Sequence, residues 1–171
     1  MPDFSLYSNE LSIEEKIALA EYLWEKYGTY IAADREINQL LGLYRKVISR
    51  SHELMEKFGV VAGCAVCATQ VPGGGCCGAG IEDWYDEFVL LLNLLLERKI
   101  PTERLGEKDC LFLGPKGCQL FARHHFCINY LCSRITDLLS PAELTALSAQ
   151  SGKEIFLCWQ LERLLRTRLN N

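Results

Sequence analysis

Eight of the nine cysteines in this chain lie between positions 64 and 132. The thiolate is both a metal ligand and the reactive form of cysteine, and a cluster of this kind without a secretion signal indicates a metal site first. The spacing therefore predicts that the clustered cysteines form the ligand pool of a metal centre. They are Cys64, Cys67, Cys76, Cys77, Cys110, Cys118, Cys127 and Cys132.

The first four cysteines have the most specific spacing. Cys64-x-x-Cys67 lets two thiolates turn towards one ion from a tight knuckle. The Cys76–Cys77 doublet differs, because adjacent side chains diverge and tend to serve different metal atoms or form a strained vicinal disulfide. Two sets of four cysteines suit either two tetrathiolate sites or one site with spare thiols, and the spacing leaves the pairing open.

The surroundings of the cysteines bear on the metal. Four thiolates hold zinc as well as iron–sulfur clusters. Residues 60–80 include six glycines and no charged residue, which offers backbone N–H donors in an apolar setting. The segment from Arg98 to Arg134 contains seven basic and three acidic residues. This excess of positive charge would stabilise an anionic metal centre. These features favour an iron–sulfur cluster and keep zinc as the alternative.

Two other functions remain open from the residues alone. One is structural zinc in an interaction domain, which predicts that the protein unfolds when a chelator removes the metal. A thiol oxidoreductase that uses Cys64 with Cys67, or Cys76 with Cys77, is the other. A disulfide framework is less favoured, because disulfides are rare in a reducing compartment and the number of cysteines is odd. The sequence does not decide whether the protein is an enzyme.

The remaining chemically active residues read as structural. His124–His125 stands beside the cluster and is interpreted as a surface or outer pair rather than as metal ligands. Cys158 lies between apolar residues of a predicted helix and is interpreted as a core thiol. The tryptophans at 24, 84 and 159 fall within helical patterns, which predicts that they belong to the core.

The cysteine pattern resembles that of the YkgJ-type cysteine-cluster proteins, described as a zinc- or iron-chelating domain. The family motif C-x2-C-x2-C-C corresponds to Cys64, Cys67, Cys76 and Cys77, here with a longer gap between Cys67 and Cys76. Residues 110–118 match C-x-F-L followed by G-C. Arg123, Cys127 and Cys132 match the last part of the family pattern. The resemblance covers residues 64–132 and implies metal chelation. The same kind of cluster occurs in the flagellin lysine methylase, so the resemblance permits an enzyme without requiring one.

Helical periodicity dominates the rest of the chain and predicts a mainly α, single-domain helical bundle over residues 1–171. Residues 1–59 read as a pair of antiparallel helices. The first begins at a Ser12/Glu15 capping box and stops near Gly28, and the second covers about 34–58. The cysteine-cluster, metal-binding region covers 60–134, and its first part, 60–80, is predicted to be an irregular loop around a buried metal centre.

A buried helix at about 81–98 is predicted inside the cluster region, with acidic residues in its first turns. Residues 102–118 read as loop or short strands, and 119–133 as a short helix. The C-terminal region 135–171 is predicted to hold two helices. One starts at Ser140–Glu143, and the other starts at a Ser151/Glu154 capping box.

Composition limits the function classes. The net charge of −4 argues against non-specific nucleic-acid binding. The longest apolar run, Phe88–Leu96, is far shorter than the ~20 residues that span a bilayer. The first ten residues lack the basic and apolar regions of a signal peptide, so we expect a cytoplasmic protein. Its partner, a protein or a small molecule, is not indicated by the sequence.

Overall fold

A computed structural model describes residues 11–70 and 75–169 of the chain, without the side chains of Ala68 and Thr69. It confirms a mainly α fold with one two-stranded hairpin. The N-terminal residues from which the absence of a signal peptide was inferred, and positions 71–74 of the predicted loop, lie outside the described residues.

The first two helices are separated by a single residue. Helix α1, Ile13–Ala33, begins at the predicted capping box, where the Ser12 hydroxyl accepts a hydrogen bond from the backbone N–H of Glu15 at 3.2 Å. The predicted stop at Gly28 is wrong. The helix continues because Ile31, one turn beyond Gly28, is fully buried in the core, and this packing outweighs the ~1 kcal/mol that glycine costs in a helix.

Helix α2, Arg35–Lys57, has the predicted extent. The Asp34 carboxylate caps it by accepting from the backbone N–H groups of Glu36 and Ile37 at 2.9 and 3.1 Å. Gly59 ends it with a φ of 75°, in the region that favours glycine. The two helices have different main partners. Helix α1 packs chiefly against α4, Glu87–Leu95, and α2 packs chiefly against α7, Pro141–Leu169.

Helix α4 is the buried centre of the bundle, as predicted, but it is shorter than the predicted 81–98. Asp86 is its N-cap, with the carboxylate accepting from two backbone N–H groups at 2.8 and 3.0 Å. Glu82 and Asp83, predicted for the first helical turn, instead belong to a 3₁₀ turn, Glu82–Trp84. The helix ends at Leu95 and is followed by Glu97 with a φ of 60°.

The C-terminal region forms one long helix. Helix α7 begins where Ser140 and Glu143 predict, with the backbone N–H of Ser140 donating to the Glu143 carboxylate at 2.9 Å. The predicted second start at Ser151 is wrong. Both Ser151 and Glu154 are buried in the middle of α7, so their side chains face the core and do not cap a helix end.

The segment between α4 and α7 is built from short elements. Strands β1, Leu113–Gly114, and β2, Gly117–Cys118, pair antiparallel as a tight hairpin. The single helix predicted at 119–133 is instead two short ones, α5, His125–Asn129, and α6, Ser133–Thr136. None of the helices within residues 11–70 and 75–169 combines the length and apolar character needed to cross a membrane.

The tryptophan prediction is wrong. Each of the three tryptophans has about half of its surface exposed. The core is instead built chiefly from aliphatic side chains, two phenylalanines, Phe88 and Phe112, and two tyrosines, Tyr44 and Tyr85. Cys158 is a buried core thiol, as predicted.

Candidate metal centre

The first two cysteines of the cluster lie on a helix. Helix α3, Val60–Gln70, carries Cys64 and Cys67, so the predicted knuckle is wrong. Residues three apart on a helix share a face, and the pair can still point at one site. Gly63 allows α3 to lie close to α6, because a Cβ at this position would come within 2.8 Å of the Ile135 side chain.

The doublet follows in a tight turn. Cys76 and Cys77 belong to the 3₁₀ turn Gly75–Cys77, where Gly75 has a φ of 60°. A Cβ on Gly75 would lie 2.5 Å from the Cys67 sulfur. Only glycine therefore allows the backbone of the doublet to approach Cys67 this closely.

Backbone pairing brings the second group of cysteines to the first. The N–H of Cys110 donates to the carbonyl of Cys77 at 2.8 Å, and the N–H of Ala79 donates to the carbonyl of Lys108 at 2.9 Å. The hairpin then returns the chain and places Cys118 opposite Leu113. Two chain segments about thirty residues apart are thus fixed side by side.

Asn93 of α4 holds the next segment. Its carboxamide oxygen accepts from the N–H groups of Phe121 and Ala122 at 2.8 and 3.0 Å. Its amide nitrogen donates to the carbonyls of Val89 and Ala122 at 3.0 and 2.9 Å. This fully buried side chain fixes the loop that leads to Arg123 and to Cys127 of α5.

The eight clustered cysteines line two adjoining cavities. The first has a volume of about 90 Å³, and the second about 30 Å³. Both are bordered by Cys64, Cys76 and Cys77. Only the first is bordered by Cys110, Cys118 and Cys127, and only the second by Cys67 and Cys132.

All nine cysteines fall within the described residues, and all are free thiols. In those same residues, no group of three or more Cys, His, Asp or Glu side chains is close enough to hold a metal ion. Metal ligation therefore requires the thiols to move inward from these positions. Neither His124 nor His125 borders the thiol cavities.

Burial makes most of the cluster thiols weakly acidic. It raises the pKa of Cys64 to about 11 and that of Cys110 to about 12. The pKa values of Cys118 and Cys127 are also raised by burial, and hydrogen bonding to the Tyr85 hydroxyl opposes this. A cation that binds these sulfurs has to displace their protons.

The doublet is the exception. A hydrogen bond from the Cys77 thiol lowers the pKa of Cys76 to about 6. The same interaction, followed by burial, raises the pKa of Cys77. One thiolate stabilised by its neighbour is the charge state that a redox-active pair needs.

Arg123 supplies a buried positive charge at the larger thiol cavity. Its side chain is 9% exposed and borders that cavity, and its nearest carboxylate oxygen, on Glu154, is 3.8 Å away. Its Nε has no hydrogen-bond partner. A buried guanidinium with so little direct pairing is costly alone, and it stabilises negative charge on the neighbouring sulfurs.

Sequence reasoning missed two residues of this site. Asn93 was detectable as the single polar residue within the apolar run of 88–96. No sequence pattern pointed to Tyr85, whose ring packs edge-to-face against Phe112 with 4.9 Å between the two ring centroids. Arg123 entered only through the family pattern.

Comparisons of the chain with protein-family models, with curated proteins and with solved structures found no match. The resemblance to the YkgJ-type proteins therefore stays a prediction from the motifs.

Proposed function

We propose that the protein binds a thiolate-ligated metal centre, preferably an iron–sulfur cluster, in the cytoplasm. The ligand pool is the set of eight cysteines between Cys64 and Cys132. The observation that carries the proposal is their convergence: α3, the Cys76–Cys77 turn, the hairpin segment and the α5–α6 segment all direct cysteines to two adjoining cavities. The centre would serve electron transfer, redox sensing or a reaction on a bound partner.

Burial of the thiols supports chelation over general thiol chemistry. A nucleophilic cysteine needs a lowered pKa and access to solvent. Most cluster cysteines have raised pKa values, which is the opposite of what a nucleophile needs. Buried thiols of this kind suit metal ligands, which exchange their protons for a cation when the metal binds.

Two features favour a cluster over a single zinc ion. A cavity that holds one water needs about 10–15 Å³, and the larger thiol cavity has about 90 Å³. It therefore suits a polyatomic group. The buried charge of Arg123 also suits a four-thiolate iron–sulfur cluster, whose net charge is negative, although a zinc tetrathiolate is anionic too.

A thiol oxidoreductase is the second candidate, and one observation favours it. The Cys76–Cys77 pair combines a thiolate with a protonated neighbour, the arrangement that starts thiol–disulfide exchange. This function would need no metal. Structural zinc in an interaction domain is the third candidate, and it would use the same ligands.

The deciding experiment is purification without oxygen, followed by iron, zinc and acid-labile sulfide analysis with a visible spectrum. Iron and sulfide with a reducible brown chromophore would support the proposal. Colourless protein with stoichiometric zinc would replace it with the structural zinc role. Protein that stays folded without metal and forms a Cys76–Cys77 disulfide would refute it in favour of the oxidoreductase.

Matched serine variants test the ligands. We expect Cys77→Ser to lower the metal content strongly, because Cys77 borders both thiol cavities. Cys158→Ser makes the same chemical change at a buried thiol that borders neither, and we expect it to retain the metal. Equal metal loss in both variants would point to general unfolding, and full retention in Cys77→Ser would remove that cysteine from the ligand set.

A further inference from the structure

A larger cavity lies between the N-terminal end of α4, α5 and the middle of α7. Its volume is about 530 Å³, within the range of about 300–1,000 Å³ that small-molecule sites occupy. We call it the α5–α7 cavity. Arg123 borders both the α5–α7 cavity and the larger thiol cavity. None of the eight clustered cysteines borders the α5–α7 cavity.

One carboxylate in this cavity, that of Glu162, has no cation within ion-pair distance among the described residues. Asp86 is paired with Arg166 at 2.8 Å, and Arg166 also approaches Glu87 at 3.8 Å. For Glu162, no ion pair is found within the described part of the chain, and its one hydrogen bond comes from the Cys158 thiol at 3.4 Å. Burial, and next the charge of Asp86, raise the pKa of Glu162 to about 7.

Neither Arg123 nor His124, which also border the cavity, forms an ion pair with Glu162. Arg123 has Glu154 as its nearest carboxylate and also borders the thiols. Burial, and next the neighbouring ring of His125, lower the pKa of His124 to about 4, so His124 is uncharged at neutral pH. Among the described residues Glu162 therefore has no ion-pair partner, and only the more distant charge of Arg166, which is paired with Asp86, partly offsets its charge.

Three half-exposed aromatic side chains stand at the same cavity. Trp84, Phe156 and Trp159 are 48%, 55% and 49% exposed. Aromatic faces attract cations, and the guanidinium of Arg163 already lies 5.0 Å from the Trp159 ring centroid. Exposed aromatic groups around a concave site indicate a binding surface more than a solvent-facing one.

We propose that the α5–α7 cavity binds a small organic cation, with its ammonium group at Glu162 and its apolar part against Trp84, Phe156 and Trp159. The carboxylate supplies the charge complement, and the rings supply both apolar contact and cation–π attraction. The proposal goes beyond the metal centre and does not depend on it.

The test compares three ligands with the same six-carbon chain. Hexylammonium, hexanol and hexanoate are titrated separately into the full-length protein by calorimetry at pH 8, where Glu162 is mostly ionised. We expect hexylammonium to bind at least about tenfold more tightly than either analogue, because it alone pairs with the carboxylate. Equal binding of hexanol would refute the role of charge, and tighter binding of hexanoate would assign the site to an anion held by Arg123.

Two variants locate the bound cation. Gly152 borders the cavity on an exposed face of α7, and a Cβ there has no atom within 4 Å, so Gly152→Trp can fill the cavity without a clash at the backbone. We expect it to abolish hexylammonium binding. Glu162→Gln should weaken binding by about tenfold.

Two controls carry the same changes elsewhere. Gly42→Trp replaces an exposed α2 glycine that also has no atom near its Cβ position, and Glu53→Gln removes an exposed carboxylate. Neither should change the affinity. Unchanged binding in Gly152→Trp, with a normal circular dichroism spectrum, would overturn the proposal. Metal analysis of the same samples reports on the thiol centre separately, so either proposal can fail without the other.

Discussion

Replacing Asn93 by alanine should cost a large part of the stability of the protein. Asn93 is fully buried in α4, and its carboxamide uses both its oxygen and its nitrogen on backbone groups. Three of these groups belong to the loop at Phe121–Ala122, whose N–H and carbonyl groups have no strand or helix to pair with.

The magnitude follows from the groups left without partners. Asn93→Ala leaves three backbone groups without their hydrogen-bond partner: the N–H and the carbonyl of Ala122, and the part-buried N–H of Phe121. Each unsatisfied buried group costs about 1–3 kcal/mol, and the carbonyl of Val89 keeps its helical bond. We expect a loss of about 3–5 kcal/mol in the free energy of unfolding, a large part of the ~5–15 kcal/mol typical of a domain.

Urea unfolding followed by circular dichroism measures this loss, with Asn38→Ala as the matched control. Asn38 is an exposed asparagine with one hydrogen bond, to the carbonyl of Ala32 at 3.2 Å, so its replacement should change stability by less than about 0.5 kcal/mol. A loss below about 1 kcal/mol for Asn93→Ala would refute the reasoning. It would mean that the loop finds other partners or water.

Three further predictions concern the helix ends, the doublet and a buried charge. Asp34→Ala should lower the free energy of unfolding by about 1–2 kcal/mol in urea titrations, and Asp34→Ser, which keeps a capping oxygen but loses the ion pair with Arg168, should recover only the capping part of this loss. Gly75→Ala should reduce metal content, because its Cβ meets the Cys67 sulfur. The control Gly42→Ala should leave metal content unchanged and add up to about 1 kcal/mol of stability. Burial raises the pKa of Glu87, so the contribution of Glu87 to stability declines as pH rises above the ordinary value of 4.5. Glu87→Gln should therefore raise the thermal midpoint at pH 8 and leave it nearly unchanged at pH 4, and an equal rise at both values would contradict this explanation.

The long helices α1, α2 and α7 and the buried α4 were predictable from the sequence, but helix α3 and several helix boundaries were not. The capping patterns at Ser12 and Ser140 identified true starts, because a cap is satisfied within four residues of chain. The similar pattern at Ser151 failed, because those side chains contact the core from the middle of α7. Gly28 failed as a stop for a related reason, since the burial of Ile31 holds the helix together.

The cysteine cluster was predictable as a set but not as an arrangement. The pattern between Cys64 and Cys132 identified the residues, while their placement on α3, a 3₁₀ turn, a hairpin and α5–α6 depends on distant pairing. The α5–α7 cavity could not be foreseen at all. Its carboxylates come from residues 86 and 162, and no local pattern relates positions so far apart.

The sequence by itself determined the mainly helical class, the buried central helix and the identity of the clustered thiols, since all three follow from residue type and short-range spacing. Only the tertiary structure decided which cysteines share a cavity, that Arg123 lies buried beside them and that Glu162 borders the α5–α7 cavity with the Cys158 thiol as its hydrogen-bond donor. The physical reason is range. Caps and periodicity act over a few residues, whereas burial and charge compensation depend on contacts made across the whole fold.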